Sequence, residues 1–418
     1  MITFIRKIWK NGFFPILSVN IISKVIPFFQ SLIVIRLLAK EDYGIWSYTS
    51  NLLQWALLFS GFGVASGVLQ YVAENDNKDE QQKVVVWGLL WGILINICIS
   101  IGLIIVALFV PLPIKGVKEL LLSLSFFPII SIVYNVGQSY NRAILLNNLF
   151  SATSILYFIS IFIFTILGAN LLGLTGLVIA RYVGLIVTVV YILYNHRNIK
   201  LINILFKGIN IRYAKSFLKF SFICCLTYMT GQILYLIDVF LIGIIIKNPS
   251  IIATYKAATL IPFSINIVSL SIMMFVAPYI IKNRENTQFI KIYIKKYFWY
   301  LLLLNMTIGA LLIIFHKQVI ELVFGARYYD MATPFIILVI GAAIAGVFRI
   351  PSQNILGNMR KIKINFYIAL FAGVVNIILD IYLIISFGIN GAAISTLMIM
   401  VLTSILSTMY LNHYLKEN

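Results

Sequence analysis

The sequence alternates between long apolar runs and short polar connections along its whole length. Most of the runs reach or exceed about 20 residues, the length that an α-helix needs to cross the hydrocarbon core of a bilayer. The pattern therefore predicts an all-α integral membrane protein with twelve transmembrane helices. The predicted spans are Gly12–Leu38, Tyr43–Gln70, Val84–Val110, Leu120–Ala143, Ser151–Leu167, Leu174–Tyr194, Phe220–Ile246, Ile252–Ile280, Tyr297–Phe315, Pro334–Gly357, Ile364–Phe387 and Ala392–His413.

Composition agrees with this pattern, because 61% of the 418 residues are apolar and 11% are charged, whereas soluble domains are about 25% charged. The net charge of +19 is unevenly placed: most of the 32 lysines and arginines lie in connections on the side of the two termini. The positive-inside rule assigns that side to the cytoplasm. The basic excess thus indicates topology and contact with anionic membrane lipids. We expect no nucleic-acid binding, since no soluble domain is predicted to provide it.

The longest and most basic connection, residues 195–219, divides the chain into lobes of six spans each, 1–194 and 220–418. Gly173–Gly176 opens the sixth span and Gly388–Gly391 opens the twelfth, and further matching pairs follow in the same order. Because both lobes begin on the cytoplasmic side, the pattern predicts two six-helix bundles related by a parallel internal repeat. This plan is common in transporters.

Catalytic chemistry finds little support in the sequence. The outer connections are short, and the longest of them is His316–Thr333. The three histidines and three cysteines are scattered without metal-ligand spacing, and no phosphate-binding glycine loop is present. We therefore expect a protein that is not an enzyme and that holds no resident cofactor.

Two motifs resemble those of a known family. Arg36–Gly44 reads R-L-L-A-K-E-D-Y-G, and Phe324–Ala332 reads F-G-A-R-Y-Y-D-M-A. With the arrangement of spans, both are similar to signatures of polysaccharide-unit flippases, a branch of the multidrug/oligosaccharidyl-lipid/polysaccharide exporter superfamily. The resemblance implies transfer of an undecaprenyl-diphosphate-linked oligosaccharide, for O-antigen or capsule, from the inner to the outer leaflet of the bacterial inner membrane. It also implies work beside a polysaccharide polymerase machinery.

A diphosphate crossing the membrane needs fixed cations along its route. Lys24, Arg181 and Arg349 lie inside predicted spans, and Arg142 lies nearer the cytoplasmic edge. We expect these four residues to contact the diphosphate, because guanidinium groups bind phosphate bidentately and lysine acts as a point charge. Alternatives remain for two of them. Lys24 could pair with a neighbouring carbonyl group, or its span could be over-long, and snorkelling of the side chain to the interface is the better explanation for Arg142.

Asp238 and Asp380 are the only acidic residues well inside predicted spans. Thr396 lies at a similar depth, and Asn376 is one helical turn from Asp380. The resemblance implies a sodium site like that of the lipid II flippase branch, made by these four side chains and the backbone carbonyl of Ala392. Oxygen ligands suit a hard cation such as Na⁺. The alternative is a structural carboxylate cluster that shares a proton or pairs with an arginine. A proton-coupled site is a version of this alternative, so both Na⁺ and H⁺ are candidate coupling ions.

Two other functions compete with a flippase. A cation-coupled multidrug exporter of the same fold would have a neutral or acidic cavity, against which Lys24 and Arg181 argue. A membrane enzyme would need convergent His, Asp or Glu at one membrane face, and the sequence offers none. The sequence therefore favours a flippase that works by alternating access and is coupled to an ion gradient or to the membrane potential.

Overall fold

The computed structural model describes residues 13–197, 214–282 and 287–417. The described residues are helical apart from short turns and connections, with no strand among them, so the expected all-α class is confirmed. By length and composition, eight helices of this part could cross a membrane, or ten if each of two bent helix pairs is one span. The count of twelve spans stays a prediction.

Contacts divide the chain into two compact units. Unit 1 comprises Met1–Leu38 and Thr49–Met229, and unit 2 comprises Ala39–Tyr48 and Thr230–Asn418. Most of the predicted linker, residues 195–219, lies outside the described residues, so the division of the chain at that segment also stays a prediction. The unit boundaries at Tyr48 and Met229 fall inside helices.

The helices are as follows in chain order: α1 (Phe13–Leu37), α2 (Lys40–Leu57), α3 (Val64–Ala73), α4 (Lys78–Phe109), α5 (Val117–Leu124), α6 (Phe127–Ala143), α7 (Asn147–Asn195), α8 (Ala214–Ile246), α9 (Pro249–Lys282), α10 (Thr287–Ile314), α11 (His316–Val323), α12 (Ala332–Val347), α13 (Arg349–Asn358), α14 (Ile362–Phe387) and α15 (Ile389–Glu417). Short 3₁₀ segments lie at Ser60–Gly63 and Ala326–Met331.

Several predicted spans are bent rather than straight. The run Tyr43–Gln70 forms α2 and α3, bent by 41° at the 3₁₀ segment Ser60–Gly63, and the run Leu120–Ala143 forms α5 and α6, bent by 44°. Gly61 and Gly63 have positive φ in the first of these bends, a conformation that glycine adopts without steric cost. Hydropathy stays high across both bends, so the apolar pattern alone does not reveal them.

The predicted outer connection His316–Thr333 is largely helical. It contains α11 and the 3₁₀ segment Ala326–Met331. The two motifs that carry the family resemblance meet here, inside unit 2. The ammonium group of Lys40 donates to Asp330 Oδ2 at 2.6 Å and to the carbonyl oxygen of Arg327 at 3.0 Å.

Each unit has its own apolar core. In unit 1, valines of α3 and α4 pack on Ile132 and Val136 of α6 and on Phe217 of α8. In unit 2, Met273 and Val276 of α9 pack with residues of α10, α13 and α15. Many large apolar side chains face outward on both units, which suits helices whose surroundings are hydrocarbon rather than water.

Candidate functional site

Four helices of unit 2 bring five polar side chains together. Asp238 lies on α8, Tyr255 on α9, Asn376 and Asp380 on α14, and Thr396 on α15. All five are buried, and Asp380 has no exposed surface. The sequence predicted four of these residues as one group, and the structure brings those four together.

Hydrogen bonds link the members of this carboxylate cluster. The hydroxyl groups of Thr396 and Tyr255 both donate to Asp238 Oδ2, at 2.6 and 2.5 Å. Asn376 Nδ2 donates to Asp380 Oδ2 at 2.5 Å. The carboxyl groups of Asp238 and Asp380 are close enough to interact directly.

Each of the two carboxyl groups keeps one oxygen free. Asp238 Oδ1 and Asp380 Oδ1 are buried and have no hydrogen-bond partner among the described residues. Neither aspartate makes an ion pair with a described residue. Two buried carboxylates without an ion-pair partner are costly in a low-dielectric environment. The cluster is therefore suited to hold a small hard cation through its oxygen atoms, or a proton.

Tyr255 is a member of the cluster that sequence reasoning missed. A tyrosine in an apolar helix is usually explained by packing or by the interfacial aromatic belt, so nothing local marks it out. Lys256, the next residue along α9, is partly buried and interacts electrostatically with Asp238. Ala392 is fully buried one turn before Thr396, and the part of its carbonyl group in the site stays a prediction.

The four predicted diphosphate ligands lie on different helices. In unit 1, Arg181 on α7 donates from Nη2 to Ser50 Oγ at 2.9 Å. Lys24 is exposed on α1, and Arg142 is exposed near the end of α6. The Arg142 guanidinium lies 5.4 Å from the centre of the Phe150 ring.

Arg349, the fourth of these cations, belongs to unit 2. It lies at the break between α12 and α13, is only 8% exposed, and its Nη2 is 3.4 Å from the Tyr235 hydroxyl group. Its burial fits the prediction that it lies inside a span.

Unit 1 contains a cavity of about 530 Å³. Arg181 is not one of its lining residues but is near Tyr157, which lines it. Tyr134 and Tyr157 line it with stacked rings whose centres are 4.6 Å apart, and Ser131 and Asn135 add polar groups. Tyr157 interacts electrostatically with Arg181. The walls thus combine aromatic faces with hydroxyl and amide groups near a half-buried cation.

Sequence and structure comparisons place these features in a wider context. Residues 8–284 match a family model described as polysaccharide biosynthesis protein. A sequence search of functionally curated proteins found no match.

Solved structures share the fold at low sequence identity. The lipid II flippase MurJ, in an inward closed conformation, is 18% identical with a TM-score of 0.74, over 94% of this chain and 87% of that chain. An inward-facing multidrug resistance transporter of the MATE family and MOP superfamily is 13% identical with a TM-score of 0.79, over 96% of this chain and 97% of that chain. A MOP superfamily transporter from Pyrococcus furiosus, described as having a binding pocket of reverse polarity, is 12% identical with a TM-score of 0.58. The match covers 97% of this chain and 95% of that chain.

Proposed function

This chain belongs to the polysaccharide biosynthesis protein family, and from that premise we propose that it flips an undecaprenyl-diphosphate-linked oligosaccharide from the cytoplasmic to the outer leaflet. The structures that share its fold are those of transporters rather than enzymes. The transport works by alternating access in the inner membrane of a bacterium. The proposal includes twelve spans in two repeated bundles, with both termini in the cytoplasm.

The observation that carries this proposal is the polar, aromatic cavity beside Arg181 in unit 1. Sugar rings present apolar faces and hydroxyl edges, and stacked tyrosines with serine and asparagine offer partners for both. Leu185, which lines the cavity, is one turn from Arg181 on α7 and thus on the same helix face. Arg181 therefore lies where a diphosphate attached to a bound sugar could reach it.

We further propose that the carboxylate cluster of unit 2 couples transport to a cation gradient. The donor set fits Na⁺ by its chemistry, with Asp238, Asn376, Asp380 and Thr396 as the side-chain ligands and Ala392 as a backbone ligand. When bound, such an ion would offset one of the two negative charges of the carboxylate cluster. A single proton on the two carboxyl groups would have the same effect on charge, so H⁺ is the other candidate.

The test of the substrate assignment is substitution of Arg181 in a strain that lacks its own copy of the gene. We expect Arg181→Ala to lower the amount of surface glycan at least about tenfold. Arg181→Lys should give an amount between those of Arg181→Ala and the wild type, because lysine keeps the charge but loses the bidentate fork. Lys118→Ala is the matched control, since Lys118 is an exposed cation on α5. Normal glycan with Arg181→Ala at normal expression would refute the assignment.

A multidrug exporter is the second candidate, because the fold matches a multidrug resistance transporter with a TM-score of 0.79. The positive charge of the half-buried Arg181 near the cavity disfavours cationic drugs as cargo. Protection of cells against cationic drugs by the wild-type protein, with no effect on surface glycan, would favour this second function.

A further inference from the structure

Unit 2 has a second cavity, of about 540 Å³, that the proposed transport function does not use. Three lysines line it: Lys291 and Lys295 on α10 and Lys416 on α15. Phe298, Trp299 and Leu302 of α10 form its apolar wall. We call this cavity the lysine pocket.

The lysine pocket is polarised along its helices. On α10, Lys291 and Lys295 are one turn apart, and Leu302 lies about 16 Å beyond Lys291 at 1.5 Å per residue. On α15, Lys416 is likewise near the end of the helix, with Asn412 one turn deeper. Lys291 and Lys295 therefore lie near the N-terminal end of α10 and Lys416 near the C-terminal end of α15. The apolar residues of α10 extend away from its two lysines.

The charges of the lysine pocket are not neutralised by the described part of the protein. Among the described residues, no acidic one lines the cavity. None of the three lysines has a hydrogen bond or ion pair with a described residue. Three ammonium groups above an apolar wall complement a ligand that has an anionic head and a hydrocarbon chain.

We propose that the lysine pocket binds an anionic phospholipid of the bilayer, with its phosphate at the three lysines and one acyl chain along Phe298, Trp299 and Leu302. Lysines of this part of the chain belong to the predicted cytoplasmic side, where the leaflet is rich in anionic lipid. The site is specific, because its cations lie around one cavity instead of being spread over the surface. It does not depend on which substrate the protein transports.

The first experiment uses the purified full-length protein in neutral detergent and counts retained lipids by native mass spectrometry. Phosphatidylglycerol and phosphatidylcholine with identical acyl chains are compared. A triple variant, with Lys291→Gln, Lys295→Gln and Lys416→Gln, should bind phosphatidylglycerol roughly a hundredfold more weakly, since each lysine near an anionic head contributes about fivefold.

The matched control removes three exposed lysines that lie elsewhere on the same predicted side: Lys215→Gln, Lys219→Gln and Lys363→Gln. It should retain wild-type affinity and selectivity. An equal loss in both triple variants would reduce the effect to general electrostatics and overturn the proposal. So would stronger binding of undecaprenyl diphosphate than of phosphatidylglycerol, or full displacement of the lipid by inorganic phosphate.

A second experiment needs no change to the lysines and so is independent of their effect on folding. Phosphatidylglycerol with brominated acyl chains should quench the fluorescence of Trp299, measured as the difference between the wild type and Trp299→Phe. Brominated phosphatidylcholine at the same concentration should quench this component less. Equal quenching by both lipids would mean that lipid contacts this wall without recognition of its head group, and the proposal would fail.

Discussion

At the scale of single residues, Tyr255 is the most informative addition to the carboxylate cluster. Its hydroxyl group donates to Asp238 Oδ2 and lies 3.2 Å from the Thr396 hydroxyl oxygen. Tyr255→Phe would leave a buried acceptor with one donor fewer. We expect it to lower the free energy of unfolding by about 1–3 kcal/mol, the usual cost of such a loss, measured by thermal melting in detergent.

Tyr382→Phe is the matched control, since Tyr382 lies on α14 and is 68% exposed. It should change stability by less than about 0.5 kcal/mol. If the two tyrosine variants have the same melting temperature, the hydrogen bond from the Tyr255 hydroxyl group to Asp238 does not stabilise the protein.

Much of this cluster could be predicted from the sequence, because acidic residues inside apolar runs are rare and the spacing of Asn376 and Asp380 puts them on one helix face. Tyr255 could not be predicted, since its role depends on how α9 packs against α8 and α15. The buried amides show the same limit. Asn96 and Gln138, each inside an apolar run, accept or donate interhelical hydrogen bonds, which only the packed structure reveals.

At the scale of helical elements, the two segments that suggested an internal repeat have the same local geometry. Gly173 has φ 58° and ψ −128°, and Gly388 has φ 60° and ψ −137°. A Cβ atom on Gly176 would overlap the backbone of Gly168, and one on Gly391 would overlap the backbone of Leu383. In both segments, the two residues whose backbones approach each other are eight positions apart. This likeness supports the repeat at these positions, although the repeat as a whole stays a prediction.

The close approach of these backbones predicts which glycines tolerate a side chain. We expect Gly176→Ala and Gly391→Ala each to destabilise their unit by about 1–3 kcal/mol through overpacking. Gly102→Ala and Gly373→Ala are the controls, because nothing lies within 4 Å of a Cβ atom at either position. Alanine should stabilise those helices slightly. Melting temperatures that do not separate the two pairs would contradict the described packing.

The sequence predicted these elements better than their bends. Apolar runs correspond to helices because long apolar segments in a bilayer must satisfy their backbone groups internally. The runs Ser151–Leu167 and Leu174–Tyr194 nonetheless form one helical segment, α7, interrupted at Gly173. The run Pro334–Gly357 is broken near Phe348, between α12 and α13. Hydropathy alone does not place the interruption at Gly173, where the backbone dihedral angles change. At Phe348 the hydropathy does fall, because the polar segment Arg349–Asn358 follows.

At the scale of the whole molecule, the predicted topology can be tested with a pair of cysteines. Leu145 lies between α6 and α7 on the predicted cytoplasmic side, and Leu322 lies on α11 on the predicted outer side. Both are 77% exposed. The three native cysteines, which are free, are first replaced by alanine. In intact cells, a membrane-impermeant maleimide should label Leu322→Cys and should label Leu145→Cys only after permeabilisation. The reverse labelling pattern would show that the topology is opposite to the predicted one.

The division into two units bears on alternating access, since a transporter of this kind needs parts that can move separately. The cavity beside Arg181 belongs to unit 1 and the carboxylate cluster belongs to unit 2. Under the proposed function, substrate recognition and ion coupling are thus carried by different units. The sequence indicated this separation only in part, because Arg181 lies in the first half and Asp238 and Asp380 in the second, whereas Arg349, also a predicted diphosphate ligand, lies in unit 2.

The central claim is that the protein moves a lipid-linked oligosaccharide across a bilayer, and reconstitution tests it most directly. Purified protein is placed in vesicles that carry an undecaprenyl-diphosphate-linked oligosaccharide, and a glycosidase added outside reports the sugar that reaches the outer leaflet. We predict that wild-type protein raises this amount well above protein-free vesicles, that a Na⁺ or H⁺ gradient accelerates the process, and that Asp380→Asn removes the acceleration. Folded wild-type protein in both orientations that gives no more accessible sugar than protein-free vesicles would contradict the claim.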